Sequence, residues 1–154
     1  MNKTADIVVF VCNWDGLSCI EAAAQARLRY PASVRVVRVS CLSRVHLGLM
    51  LKALELGADG VMLLGCEPGR CHYGSNSQCV AEEYGKAQGV LRLMGMSPER
   101  LVLALMPCGD GPGFVAQVNS LVSQIGYVPT PAPPAETIQK ESRIPSYWQF
   151  RTEG

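Results

Sequence analysis

Four short apolar runs punctuate the first 126 residues: IVVFVC (7–12), VRVVRVS (34–40), GVMLLG (60–65) and RLVLALM (100–106). Each is rich in Val and Leu and bounded by turn signals, and three are nearly continuous in hydrophobicity. That is the pattern of parallel strands covered on both faces. Helical periods fill the gaps. Ser18 with Glu21 makes a capping box ahead of an Ala-rich stretch that runs to Tyr30 and stops at Pro31. Ser43 is the expected cap of a second helix with Leu47, Met50, Leu51 and Leu54 on one face and Gly57 as its stop. A third helix is expected from Asn76 or Ser77 to Gly95, and a fourth from about Gly113 to Gly126. β-α repeated four times, joined by right-handed crossovers, predicts a small α/β domain over 1–126. Its parallel sheet would be flavodoxin-like, in the order 2-1-3-4, with helices on both faces.

After Gly126 the character changes. Residues 127–154 hold five of the chain's ten prolines and show neither helical nor strand period. An extended, Pro-rich C-terminal arm is expected there. Ile144, Tyr147, Trp148 and Phe150 form an apolar cluster near its end. The expectation is a tail folded back on its own domain or left mobile, or an arm that docks on a partner subunit through those side chains.

Charge and processing signals narrow the function classes. Net charge is +1 and aromatic residues make up 6%, which argues against a nucleic-acid surface. The start, MNKTADIVVFVCNWDG, lacks a cleavage pattern, and no stretch reaches the ~20 apolar residues of a membrane span. The expectation is a cytoplasmic protein with reduced thiols. Its seven cysteines therefore read as metal ligands, catalytic thiols or packing residues rather than a disulfide framework.

The predicted topology places four of them together. Ligands of open parallel sheets bind beyond the carboxyl ends of the strands, where strand order reverses. Cys12 ends the first run, Cys41 follows the second, Cys66 follows the third, and Cys71 lies five residues further in the same loop. Four converging thiols suit an iron–sulfur cluster or tetrahedral zinc, and unliganded thiols stay open on pattern alone.

The motifs VCNWDG (11–16), SCLSRV (40–45) and LGCEPGRCHY (64–73), with GADG at 57–60 and SPERL at 97–101, carry a resemblance. Over residues 5–126 the chain resembles the delta subunit of methyl-viologen-reducing hydrogenase. The resemblance implies an electron-transfer subunit with one [2Fe–2S] cluster and Cys12, Cys41, Cys66 and Cys71 as ligands. It also implies the partners. These are the flavin subunit of a heterodisulfide-reductase-type complex, and a hydrogenase, formate dehydrogenase or methylenetetrahydrofolate-reductase-type donor. Many family members carry a second Cys three residues after the first, where this chain has Asp15. If the family uses that cysteine as a ligand, Cys19, Asp15 or a different thiol must replace it here; Cys19 otherwise reads as a thiol activated in the first turn of the first helix or as a partly buried packing residue.

Other residues receive supporting roles. His72 is expected to hydrogen-bond around the site, Arg44 and Arg70 to offset its negative charge, and Trp14 to pack over it. Cys79 and Cys108 read as ordinary helix and loop residues, and His46 as a solvated or capping one. PCGDGPGF (107–114) has neither a Walker lysine nor G-x-G-x-x-G spacing, so nucleotide binding is not expected there. Two further readings compete with electron relay: a structural zinc interaction module, and a thiol or flavin redox protein in which Cys66 or Cys71 reacts.

Overall fold

The two central runs become strands because their alternate residues find a helix on either face, whereas the run at 34–39 pairs at the sheet edge with most of its residues exposed. The computed structural model describes residues 4–74 and 77–126. The expected C-terminal arm lies outside them. The strands are β1 (Ile7–Cys12), β2 (Val34–Val39), β3 (Gly60–Cys66) and β4 (Leu101–Met106), all parallel, in the order β2-β1-β3-β4. Between and after them run α1 (Asp15–Gln25), α2 (Leu47–Glu55), α3 (Ser77–Leu93) and α4 (Gly111–Ile125). Short 3₁₀ turns occupy Leu42–Arg44 and Pro98–Arg100.

Two apolar layers hold the sheet. Val9, Val11, Met62 and Leu64 meet Ala23 of α1 and Phe114, Val118 and Leu121 of α4. On the opposite face, Phe10, Val61 and Leu63 meet Met50 of α2 and Val80 and Leu91 of α3. The side-chain alternation of a strand assigns these two sets. Burying each Leu, Ile or Phe contributes about 1.5–3 kcal/mol, so both layers are needed for a domain of this size.

Helix boundaries shift from the sequence expectation for local reasons. α1 begins at Asp15 rather than Ser18. The Ser18 hydroxyl donates to the Asp15 carbonyl (2.6 Å) and accepts from the Gly109 N–H (2.9 Å), tying the loop after β4 to the helix. The same helix stops at Gln25, with Arg27 left-handed at φ 53°, so Tyr30 is free to pack edge-on against Phe114 (5.2 Å between centroids). Ser43 falls in the 3₁₀ turn and does not cap α2. The Leu47 N–H instead donates to Glu83 of α3 (3.0 Å). α4 starts at Gly111, two residues early, because the Asp110 carboxylate accepts from the Gly113 N–H (2.9 Å) as an N-cap.

α1 and α4 approach backbone to backbone at Gly111. A Cβ there would stand 2.6 Å from the Ala23 nitrogen and 2.9 Å from the Ala22 carbonyl carbon. Gly111→Ala is therefore expected to destabilise the domain by about 1–3 kcal/mol, since backbone cannot yield as a side-chain tip does. Gly85→Ala in α3, whose Cβ would meet nothing within 4 Å, is expected to stabilise it by about 0.4–1 kcal/mol. Denaturant midpoints moving in opposite directions check the pair.

Candidate metal centre at the strand ends

Strand order reverses between β1 and β3, and their last residues are both cysteines. Cys12 and Cys66 stand with their sulfurs 3.7 Å apart. A second pair, Cys41 and Cys71, stands at 3.6 Å. None of the four is in a disulfide, with Cys12 and Cys41 buried and Cys66 and Cys71 partly so. They line one cavity of about 30 Å³. That exceeds the ~10–15 Å³ a single water requires. Trp14, Glu67 and Tyr73 share its wall.

Local backbone chemistry sets each thiol. Cys41 is extended (φ −151°, ψ 147°) at the entry to the 3₁₀ turn, and its carbonyl accepts the Arg44 N–H at 3.1 Å. The next residue, Leu42, is buried against Gly65 of β3. A Cβ on Gly65 would lie 2.5 Å from Leu42 Cδ1, so this glycine admits the anchor that fixes Cys41. Cys71 is returned to the sheet by a turn over Glu67–Arg70. The Arg70 N–H donates to the Glu67 carbonyl (3.0 Å), Pro68 takes the second position, and Gly69 the third at φ 80°. That is type II geometry, which demands positive φ at its third residue. Pro68 and Gly69 thus bend the loop back.

Gly16, which no sequence expectation singled out, lies in the first turn of α1. Its N–H donates to Cys12 Sγ at 3.3 Å. A Cβ on it would stand 2.5 Å from the Leu64 carbonyl and 3.1 Å from that same sulfur. The positive end of α1 thus meets Cys12 at a distance only glycine permits. A glycine four residues beyond a strand-end cysteine is its sole signal.

Burial pushes the Cys66 thiol up to about 12, with the Asp15 N–H opposing and neighbouring Cys12 adding to the rise. The thiol therefore keeps its proton in the metal-free protein where an unfolded chain has lost it. The stabilisation is full below pH 9, the ordinary cysteine value, and is lost as pH rises towards 12. Metal-free protein is expected to lose denaturant resistance over that window, and Cys66→Ser to flatten the slope. Metal binding must displace such protons, so it strengthens as pH rises.

The remaining sequence candidates separate. Cys19 is fully buried with the α1–α4 layer, opposite the layer that holds Cys12. Its S–H faces the carbonyls of Asp15 (3.2 Å) and Pro107 (3.3 Å), and burial raises its pKa. Because α1 starts at Asp15, Cys19 sits in the second turn as a packing thiol. Cys79 and Cys108 are exposed, the latter with its sulfur 3.3 Å from the Ser18 hydroxyl oxygen. His72 stacks on Trp14 at 3.5 Å and 17°, where hydrogen bonding was expected. Tyr73 meets both rings edge-on at 5.1–6.2 Å. Arg44 and Arg70 are exposed, and Arg44 shares a cleft with Cys41 and Tyr73. His46 precedes α2, exposed and without a side-chain capping bond.

Among the described residues, no three His, Cys, Asp or Glu side chains form a group suited to one metal ion. The thiols stand as two pairs instead. Nor is any described helix long and apolar enough to cross a membrane.

Known proteins share this chain's pattern. The family model described as methyl-viologen-reducing hydrogenase, delta subunit, matches residues 7–128. An iron–sulfur subunit of the F420-non-reducing hydrogenase of Archaeoglobus profundus is 35% identical over 124 residues, 79% of this chain and 90% of that one. The iron–sulfur subunit of the vhc F420-non-reducing hydrogenase of Methanococcus voltae is 33% identical, over 80% of this chain and 86% of that protein. One subunit of the ferredoxin/F420H2-dependent CoB-CoM heterodisulfide reductase of Methanosarcina acetivorans is 30% identical over 139 residues. This chain spans only 17% of that protein's length, so there it corresponds to one segment of a much larger polypeptide. A family model covering the whole described sheet, together with hydrogenase iron–sulfur relatives matched over most of their length, establishes that this chain belongs to the methyl-viologen-reducing hydrogenase delta-subunit family.

Proposed function

We propose that this chain is an electron-relay subunit that holds one [2Fe–2S] cluster on Cys12, Cys41, Cys66 and Cys71. The carrying observation is the spacing of the thiols in pairs, at 3.7 and 3.6 Å. Two thiolates on one tetrahedral metal with bonds of ~2.3 Å stand about 3.8 Å apart. A single zinc needs all four at that mutual spacing. A [4Fe–4S] cluster takes one thiolate per iron and would hold them well apart. Two pairs suit a two-iron cluster, which the four cysteines would hold between them. The hydrogenase relatives, named as iron–sulfur subunits, support the class of cofactor.

When bound, such a cluster supplies reversible transfer of one electron. The chain's own residues do the rest. Cys12 and Cys66 would hold the cluster from the ends of adjacent strands, and Cys41 and Cys71 from loops. The Gly16 N–H opposes negative charge on Cys12. Trp14 and Tyr73 in the cavity wall restrict water.

The partners proposed are a heterodisulfide-reductase-type flavin protein on one side and, on the other, a hydrogenase, formate dehydrogenase or methylenetetrahydrofolate-reductase-type enzyme. Support comes from the relatives: a related sequence occurs as a separate hydrogenase polypeptide and as a segment of a heterodisulfide reductase polypeptide. Domains fused in one organism are natural partners when separate in another. A cytoplasmic location fits reduced, paired thiols that need a reducing compartment. Residues 127–154 are proposed as a docking arm for one of these partners.

The test is a redox titration of anaerobically purified protein, followed by mixing with the purified flavin protein of heterodisulfide reductase. The expected result is uptake of one electron per chain with bleaching of visible absorbance, then reoxidation by the partner. A chain that accepts no electron would overturn the relay.

A further inference from the structure

Two rings that line the cysteine cavity also expose more surface than lining it requires. Trp14 is 41% and Tyr73 55% exposed, although both line the cavity. Exposed rings of this size are usually turned into a core. Here they are fixed in place by His72, which stacks on Trp14 and meets Tyr73 edge-on. Three exposed arginines surround them. Arg38 donates from Nε to Asn13 Oδ1 (3.2 Å), beside Trp14. Arg44 shares a cleft with Tyr73, and Arg70 immediately precedes Cys71. The ion pairs found among the described residues, Lys52–Glu55 and Lys86–Glu83, involve none of the three. The carboxylates of the region are less exposed: Glu67 is half-buried in the cavity wall, Asp15 half-buried at the start of α1, and Asp110 occupied in capping α4.

We infer that this aromatic patch with its arginine rim is the docking face for a redox protein whose own redox centre is ringed by Asp and Glu. The inference rests on the relay reading and deepens it by fixing the face and the partner's charge. Trp, Tyr and Arg are the residues that dominate binding energy at interface centres. Rings already stacked lose little freedom on docking, so their contact area is retained as affinity. The arginine rim raises the encounter rate with an acidic face and rejects a basic one. Because Trp14 and Tyr73 line the cavity that the four thiols share, a partner seated on them sits against the wall of that cavity.

The test uses the full-length, cluster-loaded chain and the purified flavin protein of heterodisulfide reductase as probe, with binding measured by surface plasmon resonance from low to high salt. The triple variant Arg38→Glu/Arg44→Glu/Arg70→Glu is expected to lower the association rate by about 10–100-fold at low salt and to abolish its salt dependence. Tyr73→Ala is expected to speed dissociation by about tenfold or more. Lys52→Glu/Lys86→Glu, which reverses charge at an ion-paired surface elsewhere, is the control and should bind as wild type. Unchanged association in the triple variant, or an equal loss in the control, would overturn the docking face. The visible spectrum is recorded for every variant. A chain that never holds a cluster defeats the relay reading, whereas a loaded triple variant that binds normally defeats only the docking face.

Discussion

Cys41→Ser is expected to yield a folded but colourless protein. The substitution removes one sulfur and changes little else. Cys41 lies in extended backbone that serine adopts readily, and the neighbouring Leu42 anchor against Gly65 is retained. Denaturant resistance of the metal-free domain should therefore change by less than about 1 kcal/mol, within the range of an isosteric polar exchange. Cluster content should fall nearly to zero, because the proposed centre would lose one of its four protein ligands. Cys71→Ser should behave alike, since Cys41 and Cys71 form one pair at 3.6 Å. Cys79→Ser and Cys108→Ser, at exposed thiols that do not line the cavity, should keep full colour. Visible absorbance and iron content of the four variants decide the matter. A Cys41→Ser protein with an intact spectrum would remove Cys41 from the ligand set. It would also favour a thiol or flavin mechanism centred on Cys66 or Cys71.

Gly16→Ala has the second-largest expected effect, through a contact rather than a ligand. The added methyl would stand 2.5 Å from the Leu64 carbonyl oxygen and 3.1 Å from Cys12 Sγ, so α1 must withdraw from the sheet. Overpacking against backbone is expected to cost about 1–3 kcal/mol in thermal or denaturant stability. Withdrawal also lengthens the Gly16 N–H to Cys12 Sγ bond from 3.3 Å. Such bonds favour the more negative, reduced state of a cluster. Losing ~1 kcal/mol of that preference lowers the potential by about 40 mV for one electron. Protein-film voltammetry of the loaded variant reads the shift. An unchanged potential in a destabilised variant would reduce Gly16 to a packing role.

The parts legible in the sequence were those written as periodicity or as a residue at a strand end. Continuous apolar runs such as GVMLLG gave parallel strands, and β-α repetition gave the order β2-β1-β3-β4 found in the sheet. Placing Cys12 and Cys66 at strand ends, and Cys41 and Cys71 in the following loops, was enough to gather them. The pairing of 12 with 66 and 41 with 71 was not legible, because it depends on how far each loop folds back. Ser18 misled because its hydroxyl serves the Gly109 loop instead of capping a helix, and that error placed Cys19 a turn too early. Gly16 and Gly65 were invisible for a related reason. Their function is to lack a side chain where Leu64, Cys12 and Leu42 approach, and only the packed structure reveals the approach. The stack of Trp14, His72 and Tyr73 joins the loop after β1 to the loop after β3, a contact no local pattern encodes.

Iron, zinc and acid-labile sulfide per chain, measured together on the full-length protein purified without oxygen, test the central claim most directly. The paired thiols call for two irons and two sulfides per chain and no zinc. One zinc per chain with no labile sulfide would contradict the relay and make the centre a structural metal site.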